Sequence, residues 1–179
     1  MSELSDEAHD GKRVERLIID WLGGNYPNGP TWYDRPATDW PPIEIVMIPA
    51  FDDIEYNLGN GGWAQYLWNC FGYWRQIIDV AKQGYLLIGA PEQSAALETL
   101  RTLCERDERE CAEVLERSER EYDGSEEGPP YFAEFTKRSY SAQRNDWEPL
   151  FYGDEIYAKR LAWLAANEAR IRKAVGRLE

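Results

Sequence analysis

The side chains most able to do chemistry gather between Asp52 and Asn69, where Asp52, Asp53 and Glu55 are followed by Asn60, Gly61, Gly62, Gln65 and Asn69. Carboxylates this close in sequence could hold a cation or exchange a proton, provided their oxygens converge on one point. Acids near the start of a helix can equally do no more than cap it and complement its dipole. Gln65 and Asn69 are four residues apart, so on a helix they share a face, where their amides could recognise a ligand or fasten neighbouring helix ends. The Gly61-Gly62 pair invites comparison with a phosphate-binding loop, but no Lys-Ser/Thr follows it and no strand precedes it. The single histidine, His9, stands in an acidic N-terminal tail without a Cys or Ser at a spacing that a nucleophile and base would use, and reads as a surface residue. These groups imply no catalytic residue, no metal site and no cofactor, and the expectation is a protein that is not an enzyme.

The elements that position these groups follow from periodicity. Asn60 is expected to end one helix and cap the next, with Gly61 and Gly62 letting a backbone or ligand approach, so the stretch reads as a tight helix-turn-helix corner. In the second helix Trp63, Tyr66, Leu67 and Cys70 recur at i, i+3, i+4 and i+7 and form an inward stripe. Upstream, Val14, Leu17, Ile18, Trp21 and Leu22 predict a first helix over residues 1–24, stopped by Gly23-Gly24. Pro, Gly, Asn and Trp crowd residues 25–42, which predicts an ordered loop without regular structure whose aromatics cover the core. The β-branched run Ile43 to Ile48 suits a strand or, preferred here, a helix.

Downstream, Trp74, Ile77, Ile78, Ala81, Tyr85 and Ile88 predict a helix ended by Gly89. A long helix from Pro91 to about Tyr122 is expected to turn Leu97, Leu100, Cys104, Cys111 and Leu115 inward. Gly124 to Pro130 reads as an exposed loop, Tyr131 to Tyr140 as a short helix, and Trp147 to Gly153 as an aromatic connector. Tyr157, Leu161, Leu164, Glu168, Ile171, Val175 and Leu178 predict one long C-terminal helix broken only at Glu168. The expected fold is all-α: a single-domain, compact multi-helix bundle over residues 1–179, with the long Pro/Trp-rich loop near its N-terminus.

The charge balance narrows the function. A net charge of −13 opposes contact with nucleic-acid phosphates or an anionic membrane and favours basic protein partners. Three cysteines without a CxxC pair fit a reducing, cytoplasmic setting, and no apolar run approaches a membrane span. From Glu92 to Glu127 there are 13 Asp/Glu against 5 Arg, and from Pro36 to Trp74 five acids and no Lys or Arg. Residues 155–179 reverse the sign, with three Glu against six Lys/Arg. An acidic interaction surface is therefore assigned to Glu105, Asp107, Glu108, Glu110, Glu113, Glu116 and Glu119, with Asp52 and Asp53 beside it. A ladder of carboxylates at helical pitch can imitate a phosphate backbone. The many i, i+4 Glu/Arg pairs on the same helix, such as Glu105–Arg109 and Glu116–Arg120, fit a solvated helix as well.

Glu55, Leu58, Asn60-Gly61-Gly62-Trp63, Gln65-Tyr66, Asn69 and Gly72 together resemble the N-G-G-[FW]-x-Q-[YF] signature of the bacterial DNA-mimic-protein family, formerly a domain of unknown function. Leu87-Ile88-Gly89-Ala90, the connector from Asp146-Trp147 to Tyr152, and Trp163-Leu164-Ala165-Ala166-Asn167 extend the resemblance over roughly residues 43–170. Gly59 stands where a second Asn is expected, and Trp63 where Phe is usual. The resemblance implies an all-helical fold and a negative surface that occupies the DNA-binding site of a basic protein such as a transcription regulator, with homodimer formation. The signature residues carry no acidic surface, so mimicry rests on this chain's own charge. Two other functions fit the sequence: an immunity or anti-defence protein that blocks a nuclease or toxin, and a small-molecule binder or enzyme using Glu55, Asn60, Gln65 and Asn69.

Overall fold

Helix α1 (Asp6–Asn25) forms because Val14, Ile18, Trp21 and Leu22 share one face, and all four are buried. In this computed structural model the chain is described over residues 6–27, 31–110, 112–113, 116–117 and 146–176. Gly23 and Gly24 do not stop α1, contrary to expectation. The helix runs on to Asn25, whose side-chain amide donates to the Trp21 carbonyl at 2.8 Å and so satisfies a last-turn acceptor. His9 lies exposed within this helix rather than in a tail.

The loop that follows contains two short 3-10 turns, Thr31–Asp34 and Ala37–Asp39, where no regular structure was expected. Its aromatics do cover the core. Trp32 is fully buried and meets Tyr33 and Trp40 edge-on, while Tyr33 stacks flat on Tyr73 at 3.9 Å.

Helix α2 (Ile43–Asn69) starts after Pro42, so the Ile43 to Ile48 run is helical. The expected helix-turn-helix corner is instead a kink inside α2. Gly61 (φ −152°, ψ 16°) and Gly62 (φ 67°, ψ −163°) leave helical geometry, and the left-handed φ of Gly62 explains why a glycine stands there. Asn60 does not cap the second segment. Its Nδ2 donates back to the Tyr56 carbonyl at 2.6 Å.

Helix α3 (Trp74–Leu87) closes at Gly89, whose φ of +73° lets the Ala90 N–H reach the Tyr85 carbonyl at 2.7 Å. Helix α4 (Pro91–Glu110) buries Leu97, Leu100 and Cys104, and residues 112–113 and 116–117 are also helical. Cys111, Leu115, Glu119, the loop at Gly124 to Pro130 and the helix expected at Tyr131 to Tyr140 lie outside the described residues. A turn at Glu148–Phe151 sets Phe151 against Tyr85.

The C-terminal helix is two helices, α5 (Asp154–Ala166) and α6 (Glu168–Val175). They break at Asn167, not Glu168, where both the backbone N–H and Nδ2 of Asn167 turn to the Trp163 carbonyl. Leu178 lies outside the described residues.

α1 lies along α5, α2 along α3, and α3 along α4, around a core centred on Trp63, Tyr66, Trp74, Phe51 and Tyr85. Two glycines permit the close crossings. A Cβ at Gly11 would run into the Leu161 carbonyl, and one at Gly84 would lie 2.7 Å from the Phe51 ring. The fold is a single all-α bundle, and among the described residues no helix is long and apolar enough to cross a membrane.

Candidate functional site

The amides singled out in the sequence meet at a residue that the sequence reading passed over. Asn57, on the buried side of α2 and 3% exposed, accepts from Asn69 Nδ2 at 2.7 Å and from Gln65 Nε2 at 3.2 Å through its Oδ1. Its own Nδ2 donates to the Asp53 carbonyl at 2.6 Å. These bonds tie the two segments of α2 together across the Gly61-Gly62 kink. Nearby, Tyr66 donates its hydroxyl to the Trp74 carbonyl at 2.7 Å, and Gly72 (φ +89°) carries the turn from α2 into α3. Gln65 and Asn69 each spend one N–H on Asn57 within α2, so their orientation is set by the fold.

Glu55 points elsewhere, into an ionic cluster built around Arg160 of α5. Arg160 is 5% exposed, and its guanidinium holds Asp52 Oδ1 at 3.0 Å and Glu55 Oε2 at 2.8 Å, with Glu15 Oε1 of α1 at 3.5 Å from Nε. Tyr85 donates to Glu55 Oε1 at 3.2 Å and Tyr157 to Glu15 Oε2 at 3.1 Å. The guanidinium also lies over the Tyr157 ring, 4.9 Å from its centre. Three helices, α1, α2 and α5, are thus fastened at one cation, and Tyr85 links the last turn of α3 to it through Glu55. Burial pushes the Glu55 carboxyl up to about 7 against the pull of Arg160, and burial likewise raises Glu15. Asp53, half-buried beside Asp52, is pushed up to about 6 by burial first and by Asp52 second.

In the sequence Arg160 reads as one of the basic residues that make the C-terminal segment positive. A usable signal existed: Arg160 lies three residues after Tyr157 and four before Leu164, on the buried stripe of α5. A charge at such a position requires a buried partner. Glu15, between Val14 and Ile18 on α1, carries the same signal.

Glu55, Asn60, Gln65 and Asn69 therefore do not converge on a shared cavity. Glu55 faces Arg160, Asn60 faces its own helix, and the two amides face Asn57.

The acids assigned to an interaction surface are divided by the fold. Asp107 is a correction: it is 0% exposed and accepts from the Trp63 indole at 3.1 Å and from Arg106 Nε at 2.8 Å, so it belongs to the core. Glu108 is half-buried and held by Arg75 Nη2 at 2.6 Å and the Trp74 indole at 3.3 Å, and the hydrogen bond from Arg75 lowers its pKa. Two more pairs, Lys82–Glu98 and Arg101–Asp79, alternate sign along the α3–α4 seam. Glu105 is half-buried, whereas Glu110, Glu113 and Glu116 are exposed. Asp52 is exposed although Arg160 holds one of its oxygens.

The chain's residues 38–167 match the family model described as DMP19-like protein, which covers α2 to α5 and with them the kink, the amide hub and the Arg160 cluster. The chain belongs to the DMP19-like family. No curated protein and no solved structure matches it. The DMP19-like region begins in the 3-10 turn ahead of α2 and ends at Asn167, the break between α5 and α6. All of α1, with its Glu15, lies outside the matched stretch, yet the fold brings Glu15 onto Arg160.

Proposed function

We propose that this protein is a non-enzymatic DNA mimic whose exposed carboxylates occupy the DNA-binding site of a basic protein, such as a transcription regulator. The observation that carries the reading is membership of the DMP19-like family, in a chain of net charge −13. The mimicking face is the outer side of α4 and its continuation, with Glu110, Glu113 and Glu116, whereas Glu105 shares the α3-facing stripe of Glu98, Arg101 and Glu108. The side facing α3 suits the role less, since Arg75, Lys82 and Arg101 pair with Glu108, Glu98 and Asp79 there. On this reading the Asn57 hub and the Arg160 cluster are architecture: they hold the bundle that presents the acids. The setting is cytoplasmic and the acting form a homodimer.

Such association is driven by complementary fields and is screened by salt, because the Debye length falls from roughly 10 Å at 0.1 M to roughly 3 Å at 1 M. The test is capture of partners from a bacterial lysate on the immobilised protein at low and at high salt, followed by competition with duplex DNA. The expected result is recovery of a DNA-binding protein that duplex DNA displaces and high salt releases. Recovery of salt-indifferent partners, or of none that bind DNA, would sink the proposal. Recovery of a nuclease or toxin would identify an inhibitor of a defence enzyme using the same carboxylates. The Glu113→Gln/Glu116→Gln variant should weaken capture without changing the melting temperature.

A further inference from the structure

A groove of about 410 Å³ runs between the C-terminal half of α1 and the first half of α2. α1 supplies Ile19, Leu22 and Gly23, and α2 supplies Ile48, Pro49 and Asp52. Its surface is mostly apolar, and Ile19 is 42% exposed there although it is a large aliphatic side chain. One end differs in chemistry. Asp52, with 57% of its side chain exposed, is the solvent-facing member of a set in which three carboxylates converge on the single guanidinium of Arg160. The Asp52 carboxylate therefore meets solvent at the groove, beside Asp53. An apolar trough with a carboxylate at its edge complements a body that is apolar along its length and cationic at one side.

We infer that this groove docks a basic amphipathic helix of a protein partner, its apolar side chains resting on Ile19, Leu22 and Pro49 and a Lys or Arg meeting Asp52. Helix-in-groove recognition of this kind takes anchors at i, i+3 or i+4, and i+7 from one face of the incoming helix. The inference rests on the reading of the protein as one that binds basic partners. It adds an apolar contact that phosphate mimicry alone would not use, on a face separate from the outer side of α4. A partner engaged by both faces would hold on at salt concentrations that release one held by charge alone.

Gly23 offers a clean test. A Cβ there meets no heavy atom within 4 Å, and the same holds at its neighbour Gly24, which does not line the groove. Replacing either with leucine inside α1 favours the helix, and the melting temperature of each variant shows that the fold is kept. The probes are three fluorescently labelled synthetic peptides: a Leu/Lys amphipathic helix, a scrambled peptide of the same composition, and a Leu/Glu amphipathic helix. Their affinities are measured by anisotropy against the full chain at physiological salt. The inference expects the Leu/Lys helix to bind about tenfold tighter than either of the others. Gly23→Leu and Asp52→Asn should each weaken it by about tenfold, and Gly24→Leu should not. Equal binding of the scrambled peptide, indifference to Gly23→Leu, or no binding of any peptide would overturn the groove. Equal binding of the two basic peptides would leave the acidic-surface reading standing, because that reading requires charge and no apolar register. Failure of that reading is seen separately, as failure to capture a DNA-binding protein.

Discussion

Replacing Arg160 with methionine keeps an unbranched apolar side chain in α5 and removes the one cation on which Glu15, Asp52 and Glu55 converge. Asp52 is largely exposed and rehydrates, so the cost concentrates on Glu15 and Glu55, whose side chains are 13% and 17% exposed. Breaking a buried ion pair by removing one partner typically costs about 3–5 kcal/mol, because the remaining charge stays buried without compensation. The full loss applies only while both carboxyls are ionised. Glu55 is pushed up to about 7 even with Arg160 present, and burial raises Glu15 as well, so both take up protons on mild acidification once the cation is gone. Urea unfolding followed by Trp fluorescence should therefore show Arg160→Met destabilised by about 3–5 kcal/mol near pH 8 and by roughly half that near pH 5. Adding Glu55→Gln to Arg160→Met should recover part of the loss near pH 8, since a neutral amide replaces the stranded charge. A loss below about 1 kcal/mol near pH 8, or an equal loss at both pH values, would refute the assignment of Arg160 as the ionic fastening of α1, α2 and α5.

Other outcomes follow from the same geometry. In the wild-type chain Glu55 has a folded-state pKa of about 7 against 4.5 for the free group, so the folded state binds the extra proton. Its contribution is fully present below about pH 4.5 and is lost as pH rises through 7, a change of up to about 3 kcal/mol measurable as a falling urea midpoint. Asn57→Leu leaves the amides of Gln65 and Asn69 without their acceptor and should cost about 1–3 kcal/mol, lowering the melting temperature by roughly 3–10 °C. Asp107→Ala should cost about 1–3 kcal/mol because it strands the buried Trp63 indole, whereas Glu113→Ala on the exposed face should stay within about 0.5 kcal/mol; equal effects would return Asp107 to the surface. Gly84→Ala places a Cβ 2.7 Å from the Phe51 ring and should destabilise by about 1–3 kcal/mol, while Gly24→Ala, with open space around it, should stabilise by up to about 1 kcal/mol.

The all-α class and the course of α1, α3 and α4 were determined by the sequence itself, because a helix's hydrogen bonds are local and its buried face repeats every three to four residues. Val14, Ile18 and Trp21, or Leu97, Leu100 and Cys104, need no knowledge of what they pack against to announce an inward side. Local chemistry was less decisive at boundaries. Asn60-Gly61-Gly62 permits both a capped turn and a kink, and the bonds from Gln65 and Asn69 to Asn57 across it accompany the kink. Asn167 rather than Glu168 breaks the C-terminal helix because a side-chain amide can donate to a backbone carbonyl and a carboxylate cannot.

Only the tertiary structure decided which acids carry charge to the surface. Asp107 and Glu113 lie six residues apart in one acidic stretch, yet one is sealed against Trp63 and the other lies in solvent; the position of Asp107 on the Leu100/Cys104 stripe hints at this, but only the packing supplies the indole that it accepts from. Glu15, Asp52, Glu55 and Arg160 are separated by up to 145 residues, so no local rule could bring them together. The field of a charge depends on what surrounds it in three dimensions, through burial and through the nearest opposite charge. A net charge of −13 names an acidic protein; the packing of α3 on α4 and of α1 on α5 determines where on its surface that acidity can be used.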